Sequence, residues 1–154
     1  MRSPSQAQHY VKMGLRLLQA SDCRNAIEMF SVAIDLDPRY GEAYGYRGLA
    51  CFTLGLNEEA MDNYNMAIAL NPSLEKVYLF RGVLHSKFSH HKEAIKDLTA
   101  AIEWDNQLAD AYYHRGINKG IIGDRKGALW DLKFAAQLGN RIAQKALNST
   151  GILW

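Results

Sequence analysis

The chain has little of what marks several common protein classes. It carries two cysteines in 154 residues, Cys23 and Cys51, which do not form a CxxC pair. Two such thiols make neither a disulfide framework nor a paired redox motif. There is no apolar run of about 18 residues, so no transmembrane helix is expected. The opening MRSPSQAQHY lacks both the apolar stretch of a secretory signal and a cysteine for lipid anchoring. Charge of one sign is also scarce. The net charge of +2 lacks the concentrated basicity of a nucleic-acid binder. Catalytic motifs are missing too: no Gly-rich phosphate loop, no G-x-S-x-G and no H-E-x-x-H. Neither cysteine has a histidine base at motif spacing, so a thiol enzyme is not expected. Composition excludes disorder, since 48% of residues are hydrophobic and 22% charged. Together these absences predict a soluble, cytoplasmic, non-enzymatic protein with no cofactor, no metal and no membrane insertion.

What is present is periodicity. Tyr10, Tyr44, Tyr78 and Tyr112 lie 34 residues apart. Gly14, Gly48, Gly82 and Gly116 keep the same spacing. So do two alanine columns: Ala26, Ala60, Ala94 and Ala128, then Ala33, Ala67, Ala101 and Ala135. Four columns identical in four copies define a tandem repeat. The units are 7–40, 41–74, 75–108 and 109–142, after a lead of residues 1–6 and before an end of 143–154.

Each unit reads as two helices. In the second, Tyr44, Arg47, Gly48 and Cys51 share one helical stripe. Gly55 ends that helix, Asn57 is the expected N-cap of the next, and Glu58 and Glu59 suit its positive first turn. Ala60, Met61, Tyr64, Ala67 and Ile68 form the second stripe, and Asn71-Pro72 closes the unit. Ser21 and Ser89 replace glycine in the first and third intra-repeat turns. The glycine and alanine columns allow close helix approach, because helix ridges mesh only where side chains are short.

These columns resemble the tetratricopeptide repeat (TPR): an aromatic at position 4, Gly at 8, Ala at 20 and 27, and Pro at 32. Position 24 holds Phe30, Tyr64, Leu98 and Leu132, in keeping with the family. Position 32 holds Pro38 and Pro72, then departs to Asn106 and Asn140. The resemblance covers about nine-tenths of the chain. It implies an all-α solenoid of antiparallel helix pairs, a right-handed superhelix with a C-terminal capping helix. It also implies a concave groove lined by the first helices, and a role in binding other proteins.

Positions 7 and 23, on facing helices, vary together. They read Met13/Met29, Arg47/Asn63, Arg81/Asp97 and Arg115/Asp131. A basic residue meets an acid or amide, and an apolar residue meets an apolar one. The expectation is a charge-assisted pair within the repeat rather than an anion-binding site.

The groove positions carried over from the family are apolar and aromatic here. They are Val11, Lys12 and Leu15, then Tyr46, Leu49 and Phe52, then Leu79, Phe80 and Val83, then Tyr113, His114 and Ile117. An apolar face of this kind marks an interaction site for a peptide or helix of a partner protein. The carboxylate clamp of some family members is not matched. Val11/Leu15 and Gly45/Leu49 occupy its first positions, and Phe80 follows Lys76 where a basic residue is required.

Three further features complete the reading. His85, His90, His91 and His114 are expected in turns and packing positions rather than around a metal. Residues 1–108 hold 11 basic and 13 acidic residues, whereas 109–154 hold 7 and 3. Residues 141–148 suit a short capping helix with Ile142, Ala143, Ala146 and Leu147 inward, because an open solenoid must cover its last pair. The tail Ile152-Leu153-Trp154 either folds back or enters another molecule. The sequence thus predicts an interaction adaptor. Its alternative is a self-assembling protein that forms a homo-oligomer through groove or tail.

Overall fold

A computed structural model describes residues 4–154 of the chain. The described residues form nine α-helices and no strand. They are α1 (Pro4–Gln19), α2 (Cys23–Leu36), α3 (Gly41–Thr53), α4 (Asn57–Leu70), α5 (Glu75–Lys87), α6 (His91–Trp104), α7 (Ala109–Ile121), α8 (Arg125–Gln137) and α9 (Arg141–Ser149). Successive helices joined by short turns pack as antiparallel pairs, the all-α solenoid arrangement. The chain divides into two compact units, one ending at Val77 and the other spanning Tyr78–Trp154.

The turn inside each pair is closed the same way four times. Ser21, Gly55, Ser89 and Gly123 all have positive φ, at 61°, 80°, 61° and 92°. The following N–H bonds back to the carbonyl five residues earlier: Asp22 to Leu17, Leu56 to Cys51, His90 to His85 and Asp124 to Lys119. This is the Schellman closure, which satisfies carbonyls left over at a helix end. The two serines therefore take the backbone that glycine adopts without strain. Directly after them stand the N-caps Asp22, Leu56, His90 and Asp124. The expected cap at Asn57 is corrected: Asn57 is the first residue of α4, and Leu56 occupies the cap. The six-residue closure sets that register. Of the four, Asp22 and Asp124 use a side-chain oxygen, accepting from the N–H of Asn25 and Gly127.

The turns between pairs use a different device. Asp37, Asn71 and Asp105 end α2, α4 and α6 in extended conformation. Each donates its N–H to an alanine of the second alanine column, Ala33, Ala67 or Ala101. Each also accepts, on its side-chain oxygen, the N–H two residues on: Arg39 at 3.1 Å, Ser73 at 3.1 Å and Gln107 at 2.9 Å. The Asx turn is therefore the same with Pro38, Pro72 or Asn106 inside it. Replacing proline by Asn106 does not loosen the turn. In the fourth unit Gly139, with φ of 96°, takes this place and the turn changes to a Schellman closure. Asn140 then caps α9, accepting from Ala143 N–H at 2.8 Å and donating to Asp110 at 2.7 Å.

The glycine column sits where two helices nearly touch. A Cβ on Gly14 would lie 2.5 Å from the Phe30 ring. On Gly48 it would lie 2.7 Å from the Tyr64 ring, and on Gly82 it would lie 2.8 Å from Leu98. The partners are the position-24 column, so the absent side chain and the large one fit each other. Phe30, Tyr64 and Leu98 are fully buried, as are the alanines around them.

Candidate interaction surface

The arginines come first, because a free arginine could recognise an anion. Arg81 Nε and Nη2 donate to the two carboxylate oxygens of Asp97 at 2.7 and 2.8 Å. Arg115 does the same with Asp131 at 2.9 and 2.8 Å. Arg47 Nε donates to Asn63 Oδ1 at 2.8 Å. Asp97, Asp131 and Asn63 are buried, so these fork-shaped bonds work at low local dielectric. The Asp97 hydrogen bonds, working against burial, hold the Arg81 proton more firmly than usual. Each arginine also lies over the tyrosine three residues before it: Arg47 over Tyr44, Arg81 over Tyr78 and Arg115 over Tyr112, at 5.4 to 5.9 Å.

Two further partners were not foreseen. Arg47 Nη1 donates to Ser31 Oγ, and Arg115 Nη1 donates to Thr99 Oγ1, both at 3.2 Å. Ser31 and Thr99 each belong to the preceding repeat, so the arginine ties two repeats within its unit. Lys119 Nζ also reaches Asp131, at 2.9 Å. Its spacing of four from Arg115 was the available signal.

The candidate groove residues fall into two groups. In the first unit Lys12 is exposed, and Leu15, Tyr46, Leu49 and Phe52 are half-buried. In the second unit Ile117 is exposed, and Phe80, Val83, Tyr113 and His114 are half-buried. Val11 and Leu79 are corrected: they are 4% and 9% exposed and belong to the core. Both occupy position 5, which packs on the following helix pair. Val11 clusters with Ala26, Phe30 and Ala43, and Leu79 with Leu98, Ala101 and Ala111. Gly45 shows the same column from the other side, since a Cβ there would lie 2.6 Å from Val77. Tyr46 leans on the core as well, stacked on Phe30 with ring centres 5.9 Å apart.

The histidines are dispersed among structural roles. His90 is the exposed N-cap of α6. His91 Nδ1 lies 2.8 Å from Asn118 Oδ1. The buried Asn118 amide donates in turn to Ser86 Oγ at 2.6 Å and to the His114 carbonyl at 2.8 Å. This polar node links α5, α6 and α7 and is satisfied at each end. His85 and His114 are pushed below the ordinary imidazole range by burial. No group of three His, Cys, Asp or Glu able to hold a metal occurs among the described residues. Burial raises the Cys51 thiol, the opposite of a reactive thiolate.

At the C-terminal end, α9 turns Ala143 and Leu147 inward. Ile142 and Ala146 are exposed instead, a correction to the expected stripe. A nine-residue helix gripping one pair has room for only a narrow buried edge. Ile152 N–H bonds to the Leu147 carbonyl, and its side chain packs on the cluster of Tyr112, Ala135 and Leu147. Trp154 Nε1 donates to Asn148 Oδ1 at 2.9 Å, while Leu153 is 87% exposed. No helix among the described residues is long and apolar enough to cross a membrane.

Helix pairs of repeating length, closed by the same two turns and meshed at Gly and Ala columns, define a helical-repeat solenoid. Models of the tetratricopeptide repeat match residues 11–75 and 75–108, and the chain belongs to that family. The curated proteins contain no match. Among solved structures, a crystal structure of MamA is 25% identical, with a TM-score of 0.77, over 92% of this chain and 83% of that one. The first TPR of Spaghetti (RPAP3), bound to an HSP90 peptide, is 23% identical with a TM-score of 0.74, over 78% and 95%. A thermophilic TPR protein of Thermus thermophilus is 20% identical with a TM-score of 0.79, over 94% and 83%. The last two show the fold alone.

Proposed function

We propose that the chain is a protein-interaction module that takes a peptide or helix of a partner on the first-helix faces of its repeats. One observation carries the reading. Tyr46, Leu49 and Phe52 in one unit, and Phe80, Val83 and Tyr113 in the other, stay partly exposed after the cores are built. Half-buried aromatics of this kind are fixed by packing yet open to a ligand, which suits interface anchors. Arg47, Arg81 and Arg115 are occupied by Asn63, Asp97 and Asp131, so on this face they offer no ready anion site. The partner contact is therefore an apolar one. The peptide-bound RPAP3 structure is consistent with a TPR domain in such a role. No catalytic role is proposed.

The test is a binding assay with Tyr46→Glu and Phe80→Glu variants. Both are expected to lose the partner while keeping the helical signal, with a melting temperature lowered but still well above the assay temperature, since Tyr46 and Phe80 also pack on the cores. Retained binding in both variants would reject the first-helix face. A second reading, self-assembly, is favoured by the exposed Leu153. It expects a mass above one chain in sedimentation, lost on deleting residues 152–154.

A further inference from the structure

A second surface lies at the edge of the C-terminal unit. It is a cleft of about 300 Å³ where α7 passes to α8 and where α9 ends. Its lining includes Gly120, Arg125, Leu129, Leu132, Leu147 and Ile152. Gly120 explains why the cleft exists. Its column holds Leu18, Phe52 and Ser86 in the other repeats, and here it holds no side chain. A Cβ on Gly120 would meet only Ala128, at 3.6 Å, so the space is open.

Charge decides what the cleft suits. Arg125 is the one charged residue of the lining. Each of the three acids of residues 109–154 accepts a hydrogen bond within the fold, Asp131 buried and Asp110 and Asp124 at the surface. Asp110 accepts from Asn140, Asp124 caps α8, and Asp131 holds Arg115 and Lys119. Arg125, Lys126, Lys133, Arg141 and Lys145 have no carboxylate partner among the described residues. An apolar cleft with a single unpaired guanidinium, on a unit with surplus positive charge, complements an apolar side chain flanked by carboxylates. We infer that this cleft docks a short acidic segment of another protein, with its apolar side chain beside Leu129 and Leu132 and a carboxylate on Arg125. Its lining shares no residue with the aromatic face.

Two short dye-labelled peptides test it by fluorescence anisotropy on the full chain. One carries a Leu-Phe pair flanked by Asp and Glu, the other the same pair flanked by Lys and Arg. The acidic peptide is expected to bind and to weaken as salt rises. Arg125→Glu should weaken it about tenfold or more, a size typical of a lost interfacial charge pair. Gly120→Leu should block it by filling the cleft, with the melting temperature showing that the fold survives. Leu129→Glu on the exposed rim gives a second block if Gly120→Leu unfolds the unit. Tyr46→Glu should change nothing here, which separates this site from the aromatic face. Equal binding of both peptides, no binding of either, or binding unchanged by Gly120→Leu and Leu129→Glu would overturn the inference. So would a concentration-dependent mass that Gly120→Leu abolishes, which would give the cleft to a second copy of the chain.

Discussion

At the scale of single residues, stability rests on a few positions whose side chains are either missing or paired. Gly48→Ala improves helix propensity, yet its Cβ would press on the Tyr64 ring at 2.7 Å. The expected net loss is about 1–3 kcal/mol, the usual cost of overpacking. Gly120→Ala is the control: with only Ala128 at 3.6 Å, it should gain up to about 1 kcal/mol. Denaturant unfolding of the two variants checks the contrast. Asp97→Ala strips the partner from Arg81 and should cost about 3–5 kcal/mol. An unchanged melting temperature would reject the pair as a stabilising element. His85 and His114 set the pH response. Burial favours their neutral forms, so the unfolded chain binds protons more readily below the ordinary imidazole value. Stability should therefore fall as pH drops from about 7 to about 5. Melting temperatures of His85→Gln and His114→Gln across that window should fall less steeply.

At the scale of elements, the turns are more uniform than the letters in them. Ser21 and Ser89 adopt the same left-handed backbone as Gly55 and Gly123. Left-handed geometry costs an L-residue roughly 1–2 kcal/mol. Ser21→Gly and Ser89→Gly are therefore each expected to raise stability by about 1 kcal/mol, less some unfolded-state entropy. Chemical denaturation measures it, and a loss of stability in both would contradict the turn assignment. The helix pairs were legible because 34-residue columns record packing directly. Gly at position 8 faces a large residue at 24, and both letters are visible. The Asx turn at Asp37, Asn71 and Asp105 is hard to read from sequence, because an Asp or Asn at a helix end suits a solvated turn as well as a bond to the N–H two residues on. The N-cap at Leu56 was hidden for another reason: leucine makes no side-chain cap bond, so no letter marks it. Val11 and Leu79 misled because one helix face serves two neighbours. The same stripe borders the surface and the next repeat, and hydrophobicity alone does not separate them.

At the scale of the whole molecule, near-neutral charge conceals a division. The second unit holds the surplus cations and the open edge cleft. Partner binding at the two surfaces should thus differ in salt response. An apolar contact at Tyr46 and Phe80 should be nearly salt-independent, whereas a contact at Arg125 should weaken with salt. The more decisive question is which face of the helix pairs meets the partner. Site-specific photo-crosslinking answers it, with a photoreactive side chain placed at Tyr46 or Phe80 and, separately, at the exposed second-helix positions Met66 or Trp104. Crosslinks to a partner protein from positions 46 and 80, and none from 66 and 104, are expected. Crosslinks from 66 and 104 alone would move the interaction surface to the second helices and refute the proposed one.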